Sequence, residues 1–553
     1  MLKCRSLRLL LIQPSHYDEE GYVIQWWRTI TPGHVLMVVN GIIADAKMRK
    51  VLGDAVNIEA RVIDEPTQHV DHDRELQWLC QAERSAVMLI GVQTSQYPRA
   101  VDLARPFIAA NIPVVMGGFH VSGVLALTPQ WSQGLSDARE LGINLYAGEL
   151  ELGIDTLLTD LWHSAPKPLY NYLSEQASLD TAPLPLLNLP IVHTTMRHLA
   201  GMDLGRGCPY LCTFCTIINV HGRKMRQRSV EAMTEYVHKN YQNGIRHYFI
   251  TDDNFARNPL WEPMLDELIR LRVEEGIHLD ILIQIDVRAA AIPRFVDKAV
   301  QAGCYRVFIG IETLREDNLE DVHKKQNKRI AINQMILTWK RAGAIIYPAF
   351  IIGLANDTRE RILEDLALIK EQLAVDIPAF AVLTPYPGCK DHQKMLAEGM
   401  AMDNDFNRYD TEHVVMDLPG MSRQEWQQLY FDVWKGFYTF EHMETVLKRA
   451  IVSKLPLQEV FKSLVGYSIG AHIDHILPLG AGFGRRRVRT NRRHGLPIEP
   501  IWRFYPKHLW RTFRHQIRLL VHMYRMYWVL WKAKRAVRNG YSDAALQRDE
   551  SIE

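Results

Sequence analysis

Short apolar runs recur through the first third of the chain, at residues 7–12, 60–63, 86–92, 113–116 and 143–146. They are rich in Val, Ile and Leu, and most are separated by stretches with helical spacing. Near-continuous apolar runs alternating with helices predict parallel strands buried on both faces, hence a doubly wound α/β domain over residues 1–165. Each run ends in a polar or glycine-bearing tail: Pro14-Ser15, Asp64-Glu65, Gln93-Thr94-Ser95, Gly117-Gly118-Phe119-His120 and Gly148-Glu149. These tails fall at the carboxyl ends of the strands, where open α/β sheets bind ligands. Pro166, Pro168, Pro183, Pro185 and Pro190 then break regular structure, and an extended linker is expected over 166–193.

The alternation resumes further on. Strands are predicted at 202–204, 247–251, 280–287, 306–311, 345–352 and 379–383, with helices such as 229–240, 262–274, 293–302 and 329–342 between them. Six βα units predict an open, partial (βα)6 barrel over residues 194–420, its chemistry at the carboxyl ends of the strands. Beyond residue 420, Trp426, Tyr430, Phe431, Trp434, Phe437 and Tyr438 recur three or four apart, which predicts helices packed on the barrel or, as the alternative, lining the substrate mouth. The helical extension runs over 421–553 and ends in a basic tail.

The chain's 553 residues are too many for one ordinary domain. Hydrophobic residues at 47% and charged residues at 23% exclude a disordered chain. A net charge of +2 hides the basic C-terminal end. The N-terminal run 7–12 passes into Gln13-Pro14 and reads as a strand, not a secretory signal. No apolar run reaches the ~18–20 residues of a membrane span. Of seven cysteines, Cys4, Cys80, Cys304 and Cys389 are scattered, which implies free thiols and a reducing, cytoplasmic compartment.

The other three stand together in Gly205-Arg206-Gly207-Cys208-Pro209-Tyr210-Leu211-Cys212-Thr213-Phe214-Cys215. Thiolates spaced C-x3-C-x2-C suit an iron–sulfur cluster or zinc. A structural zinc site usually has four protein ligands, and no fourth Cys or His stands at such a spacing nearby. A cubane held by three thiolates keeps one iron open to a ligand that is not protein.

In this setting the motif resembles the signature of radical S-adenosylmethionine (SAM) enzymes. The resemblance implies a [4Fe–4S] cluster on Cys208, Cys212 and Cys215. The SAM amino and carboxylate groups would chelate the fourth iron, and reductive cleavage would give a 5'-deoxyadenosyl radical. It implies SAM contacts from Asp252 or Asp253 after the second barrel strand, from Gln284 on the third, and from Gly310 and Glu312 in a GIE-type segment after the fourth. Pro385-Tyr386-Pro387-Gly388 resembles the family's Pro-x-Pro-Gly turn. A doubly wound domain before this motif is similar to the cobalamin-binding domain of B12-dependent members. There Gln93, Thr94, Gly117, Gly118, His120, Gly148 and Glu149 would contact cobalamin. The Asp-x-His-x-x-Gly motif of other B12 proteins is absent, so no histidine is expected on cobalt. The implied activity is cobalamin-dependent methylation of an unactivated carbon. The alternatives are a cyclase, rearrangement or oxidoreductase reaction without methyl transfer, and a non-catalytic cobalamin or redox sensor.

The expected partners are a small-molecule or lipid-like substrate and an external electron donor of flavodoxin or ferredoxin type, with no nucleic acid. Arg223, Lys224, Arg226 and Arg228 follow the cysteine loop and read either as neutralisers of an anionic cofactor or as a solvated loop. From residue 500 to 542 there is no Asp or Glu, while Lys and Arg interleave with Trp, Tyr, Phe and Leu. Arg485-Arg486-Arg487 and Arg492-Arg493 add charge upstream. Such a helix either lies on an anionic membrane, at the inner membrane surface, or packs on the barrel with its basic face in solvent.

Overall fold

The computed structural model describes residues 5–31, 33–127, 133–324, 327, 329–476 and 480–547. The chain forms two compact units. The first comprises Met1–His247, Pro385–Asp410 and Gly482–Ile498, and the second Tyr248–Thr384, Thr411–Ala481 and Glu499–Glu553.

The first unit is built on β1 (Arg5–Gln13), β2 (Gln25–Thr29), β3 (Val56–Asp64), β4 (Arg84–Leu89), β5 (Val114–Gly117), β6 (Asn144–Ala147) and β7 (Leu169–Asn171). Six of them make a parallel sheet in the order β3-β1-β4-β5-β6-β7. Because side chains alternate across a strand, each strand feeds two cores. Leu10, Ile12, Val87 and Leu89 enter one; Leu7, Leu9, Leu11 and Met88 enter the other. The order turns back at β1, between β3 and β4, which is the topological switch point of a doubly wound sheet. Part of the stretch expected as linker adds β7 to the edge of this sheet, since a strand of three residues fits between prolines. Three short strands follow: β8 (Leu199–Met202), β9 (Gly205–Arg206) and β10 (Arg226–Gln227).

In the second unit β11 (His247–Ile250), β12 (Asp280–Ile285), β13 (Arg306–Glu312), β14 (Ile345–Ile352) and β15 (Ala379–Val382) lie side by side in sequence order. The pairs from β12 to β15 are parallel. The aromatic stripe after residue 420 is core. Trp426, Tyr430, Trp434 and Phe437 are buried on one face of the helix Arg423–Phe437. The Trp434 indole donates to the Phe380 carbonyl at 3.1 Å, and the Tyr438 hydroxyl to that of Pro378 at 2.6 Å.

The arginine run at 485–487 does not belong to a free basic tail. β16 (Gly482–Arg486) pairs antiparallel with β2 in the first unit. Arg485 and Arg487 both bind Asp18, and Arg493 forms a two-bond fork on Asp405 at 2.6 and 2.8 Å. Their charge is spent inside the fold.

Candidate radical site

The cysteine loop hangs between β9 and β10, which pair antiparallel and bring its two ends together. Gly207 turns into it with φ of +102°, and a Cβ there would stand 2.5 Å from the Lys224 carbonyl oxygen. Only glycine fits so close a return. The Cys208 amide donates to the Gly222 carbonyl at 3.2 Å, and the Cys215 amide to that of Cys212 at 3.2 Å. All three cysteines are half-buried. Burial pushes the Cys215 thiol up to about 12, and the neighbouring Cys212 and Cys208 add to the shift. The three sulfurs therefore share one environment. Three thiolates from one short loop fit a cluster that takes a thiolate on each of three iron corners.

The loop is pinned from outside by the Pro-x-Pro-Gly turn and the helix after it. Asn219 Nδ2 donates to the Gly388 carbonyl at 2.8 Å. The Thr213 hydroxyl donates to Asp391 at 3.1 Å, and the Asp391 amide to the Thr213 carbonyl at 3.2 Å.

A buried ion cluster flanks the loop. Arg206 reaches Glu149 at 3.2 Å, Glu151 at 2.8 Å and Asp203 at 2.9 Å. Arg226 forks onto Glu149 at 2.6 and 2.9 Å. Arg228 joins Asp203 at 3.2 Å and donates to the carbonyls of Asp203, Ala182 and Pro183. Burial works against the Glu149 carboxylate, but Arg226 and Arg206 hold it below the usual range. Arg226 and Arg228 thus have structural partners, while Arg223 and Lys224 are exposed.

The other residues expected at the carboxyl edge of the first sheet divide in two. Gln93 is exposed, and Gly117, Gly118 and Gly148 are half-buried. Gly118 has φ of +146°, and a Cβ on it would sit 2.2 Å from the Val92 nitrogen. Thr94, His120 and Glu149 face inward. His120 is fully buried, with Nδ1 3.3 Å from the Thr94 hydroxyl and Nε2 2.9 Å from the Gly134 carbonyl. Burial pulls its pKa down to about 4. Both ring nitrogens have protein partners, so this histidine is not placed to ligate cobalt. Two residues not singled out from sequence stand at the ends of β1 and β3. Gln13 Oε1 and Asp64 Oδ1 are buried acceptors without a partner. Burial raises the Asp64 carboxyl to about 7.

The second unit gathers the expected SAM contacts at its strand ends. Of the adjacent acids, Asp252 is buried and Asp253 half-exposed, as alternation requires. Asp252 accepts from Asn258 Nδ2 at 2.9 Å, and its carbonyl from Gln284 Nε2 at 2.6 Å. Asp286 takes a two-bond fork from Arg257 at 2.7 Å and a bond from Asn254 at 3.0 Å. The β13 register shifts between Gly310 and Glu312, and Glu312 has φ of +71°. A non-glycine residue held there is a strained position. Glu312 pairs with Lys324, whose ammonium also donates to the Gly310 carbonyl at 3.1 Å. Asn327 donates to the carbonyls of Gly310 and Ile311 at 3.1 and 3.0 Å, and its own oxygen has no partner. Asn254 Oδ1 is likewise buried and unmatched. Two orphaned acceptors at the ends of β11 and β13 suit a ligand rich in donors, as the SAM ammonium and ribose are. Asn327 stands in a polar stretch of sequence with no local signal; Asn254, directly after two acids at a strand end, carried one.

Residues 202–369 match the family model described as the radical SAM superfamily. That segment is a radical SAM domain. A domain of this kind implies a [4Fe–4S] cluster and SAM as cofactors. The chain is 28% identical over 373 residues to an uncharacterized methyltransferase of Pyrococcus horikoshii, covering 62% of this chain and 78% of the relative. It is 26% identical over 395 residues to the bacteriochlorophyllide d C-8(2)-methyltransferase of Chlorobaculum tepidum, covering 68% and 82%. Among solved structures, the radical SAM methyltransferase TsrM from Kitasatospora setae, with cobalamin and a [4Fe–4S] cluster bound, shares the fold. Its TM-score is 0.58 at 15% identity, over 84% of this chain and 99% of that one.

Proposed function

We propose that this radical SAM enzyme methylates an unactivated carbon of a small molecule and that cobalamin carries the methyl group. The observation that carries this reading is Glu149. It comes from the loop after β6, at the ligand edge of the doubly wound sheet, and it binds Arg206 and Arg226, which stand on the strands bracketing the cysteine loop. One carboxylate ties the edge suited to a corrin to the loop suited to a cluster. A methyl carrier and a radical generator must act on the same carbon, and proximity of this kind is a large part of catalysis. The two relatives named methyltransferases and the neighbour holding both cofactors support the same reading.

Cys208, Cys212 and Cys215 would hold the cluster, which would supply the electron for reductive cleavage of SAM. The chain's own residues bind and orient. Asn254 and Asn327 offer acceptors to SAM, and Gln284 holds the Asp252 backbone at the same strand ends. Lys324 pairs with Glu312 at those strand ends. Gln93 and the backbone at Gly117, Gly118 and Gly148 offer cobalamin an open face, and the unmatched acceptors of Gln13 and Asp64 suit its amide donors. Radical SAM chemistry needs a reductant. Here the donor would be of flavodoxin or ferredoxin type, the substrate lipid-like, and the working place a membrane surface reached through the C-terminal helix.

The test uses reconstituted full-length protein with methyl-labelled SAM, cobalamin and a reductant. Label co-eluting with the corrin, together with deoxyadenosine, is the expected result. Deoxyadenosine without label on the corrin would overturn methyl transfer in favour of a cyclase, rearrangement or oxidoreductase. Neither product would overturn enzymatic activity altogether.

A further inference from the structure

The helix Ile501–Arg538 has two apolar faces, and the fold uses one. Phe504, His522, Met526, Val529 and Ala533 are buried. At 3.6 residues per turn these positions fall on a single stripe. His522 Nε2 meets the Ser468 hydroxyl at 2.7 Å on that side, and its ring lies 5.2 Å from that of Phe440. The opposite stripe holds Trp502, Leu509, Phe513, Leu520, Tyr524 and Trp531, in steps of seven and four residues. All six are exposed, Trp502 by 76% and Tyr524 by 75%. The stripe runs for about 44 Å at 1.5 Å per residue. One flank between the faces carries Arg503, Arg514, Arg525 and Lys532. The side turned away from the protein is thus aromatic and aliphatic, with cations along its border, and not the solvated basic face of an ordinary packed helix.

We propose that this stripe is a membrane-docking surface. The helix lies in the plane of an anionic bilayer, its Trp, Tyr, Phe and Leu side chains enter the headgroup–acyl boundary, and the basic flank meets lipid phosphates. No helix among the described residues is long and apolar enough to cross a membrane, which is what a surface helix requires. Charge decides the occupant. With no Asp or Glu between residues 500 and 542, pairing this face with a second copy would set like charges against each other. A nucleic acid would leave Leu509, Ile517, Leu520 and Val521 without partners, since stacking uses only rings. A straight apolar stripe bordered by cations fits an anionic bilayer. The inference rests on the proposed working place at a membrane and on no step of the reaction.

The experiment compares cluster-loaded full-length protein with the full-length quadruple variant Leu509→Gln, Phe513→Gln, Leu520→Gln, Tyr524→Gln. All four positions are exposed, so the fold does not depend on them. Co-sedimentation with phosphatidylglycerol-containing vesicles and with pure phosphatidylcholine vesicles gives the partition. Wild type should prefer the anionic vesicles, and the variant should lose about a hundredfold in partition, from the apolar area withheld. Equal partition of the two proteins would overturn the proposal. So would a wild-type dimer that the variant turns into a monomer, which would assign the face to a second copy. SAM cleavage in detergent-free solution should be the same for both proteins, so loss of vesicle binding and failure of the radical chemistry are read separately.

Discussion

Gly123 and Gly388 meet backbone to backbone. A Cβ on Gly388 would stand 2.5 Å from the Gly123 Cα, and one on Gly123 would stand 2.2 Å from the Pro387 carbonyl oxygen. The first helix after the Gly-Gly loop is therefore seated directly on the turn that pins the cysteine loop through Asn219. Gly123→Ala should cost about 1–3 kcal/mol by overpacking and should lower iron retention on gel filtration. Asn219→Ala, which overpacks nothing, should lower iron retention with a smaller loss of about 1 kcal/mol. Unchanged iron retention in both would show that the turn does not position the loop.

Replacing Cys208, Cys212 or Cys215 by Ala should remove the cluster. Anaerobically reconstituted wild type should hold about four irons per chain. Each variant should lose the visible chromophore and deoxyadenosine formation together. Cleavage of SAM by Cys212→Ala protein would refute the ligand assignment.

Acid should destabilise the chain well above the carboxylate range. Burial pulls His34, His120, His392 and His522 down to about 4. With unfolded values near 6.5, the unfolded chain binds more protons between these limits, so stability rises with pH there. The histidine contribution is complete above about pH 6.5 and is lost as pH falls towards 4. Unfolding midpoints followed from pH 7 to pH 4 should drop throughout that window. His120→Gln, which removes one of the four groups, should flatten the slope.

Asp64 should show the opposite sign. Its folded value is raised to about 7 by burial, so its neutral form is favoured in the fold. That contribution is full below the unfolded value and fades as pH rises through 7. Asp64→Asn keeps the shape and removes the charge. Its unfolding midpoint relative to wild type should therefore be higher at pH 8 than at pH 5. A difference independent of pH would mean that Asp64 does not titrate in this range.

Asn327 should matter for SAM beyond its place in the fold. Asn327→Ala removes two donors to β13 carbonyls and the one unmatched oxygen. A SAM dissociation constant about tenfold weaker is expected, the loss of one hydrogen bond to a charged group. Asn318→Ala, at a buried site bonded to Asp357 at 2.7 Å, serves as a comparison. It should lower stability and leave SAM affinity unchanged.

The parallel strands of both units were legible because burial on both faces writes an uninterrupted apolar run. β1, β3, β4, β5 and β6 fall on the predicted runs to within a few residues. β2, β7 and β16 were not legible. They are edge or ribbon strands of mixed polarity, and an edge strand needs no apolar period on its open side. The arginines at 485–487 read as tail charge because their partner, Asp18, lies 467 residues from Arg485 and 469 from Arg487, and no local pattern reports so distant a pairing. The cysteine spacing alone left an iron–sulfur cluster or zinc, and the resemblance to radical SAM enzymes narrowed the expectation to a cluster. That Lys324 would take up Glu312, and that Glu149 would serve two arginines, depends on how loops far apart in sequence come together.

The β2–β16 ribbon fixes when this protein can finish folding. Tyr17 exchanges two hydrogen bonds with Asn407, and Arg99 reaches Asn491 at 2.9 Å. The first unit takes residues from the start of the chain and from near position 490. During synthesis, the N-terminal sheet leaves the ribosome with its late partners still untranslated, and it must wait through several hundred codons for them. A chain ending before Gly482 would lack β16 and leave β2 without its ribbon partner, exposing an open strand edge of the kind that invites aggregation.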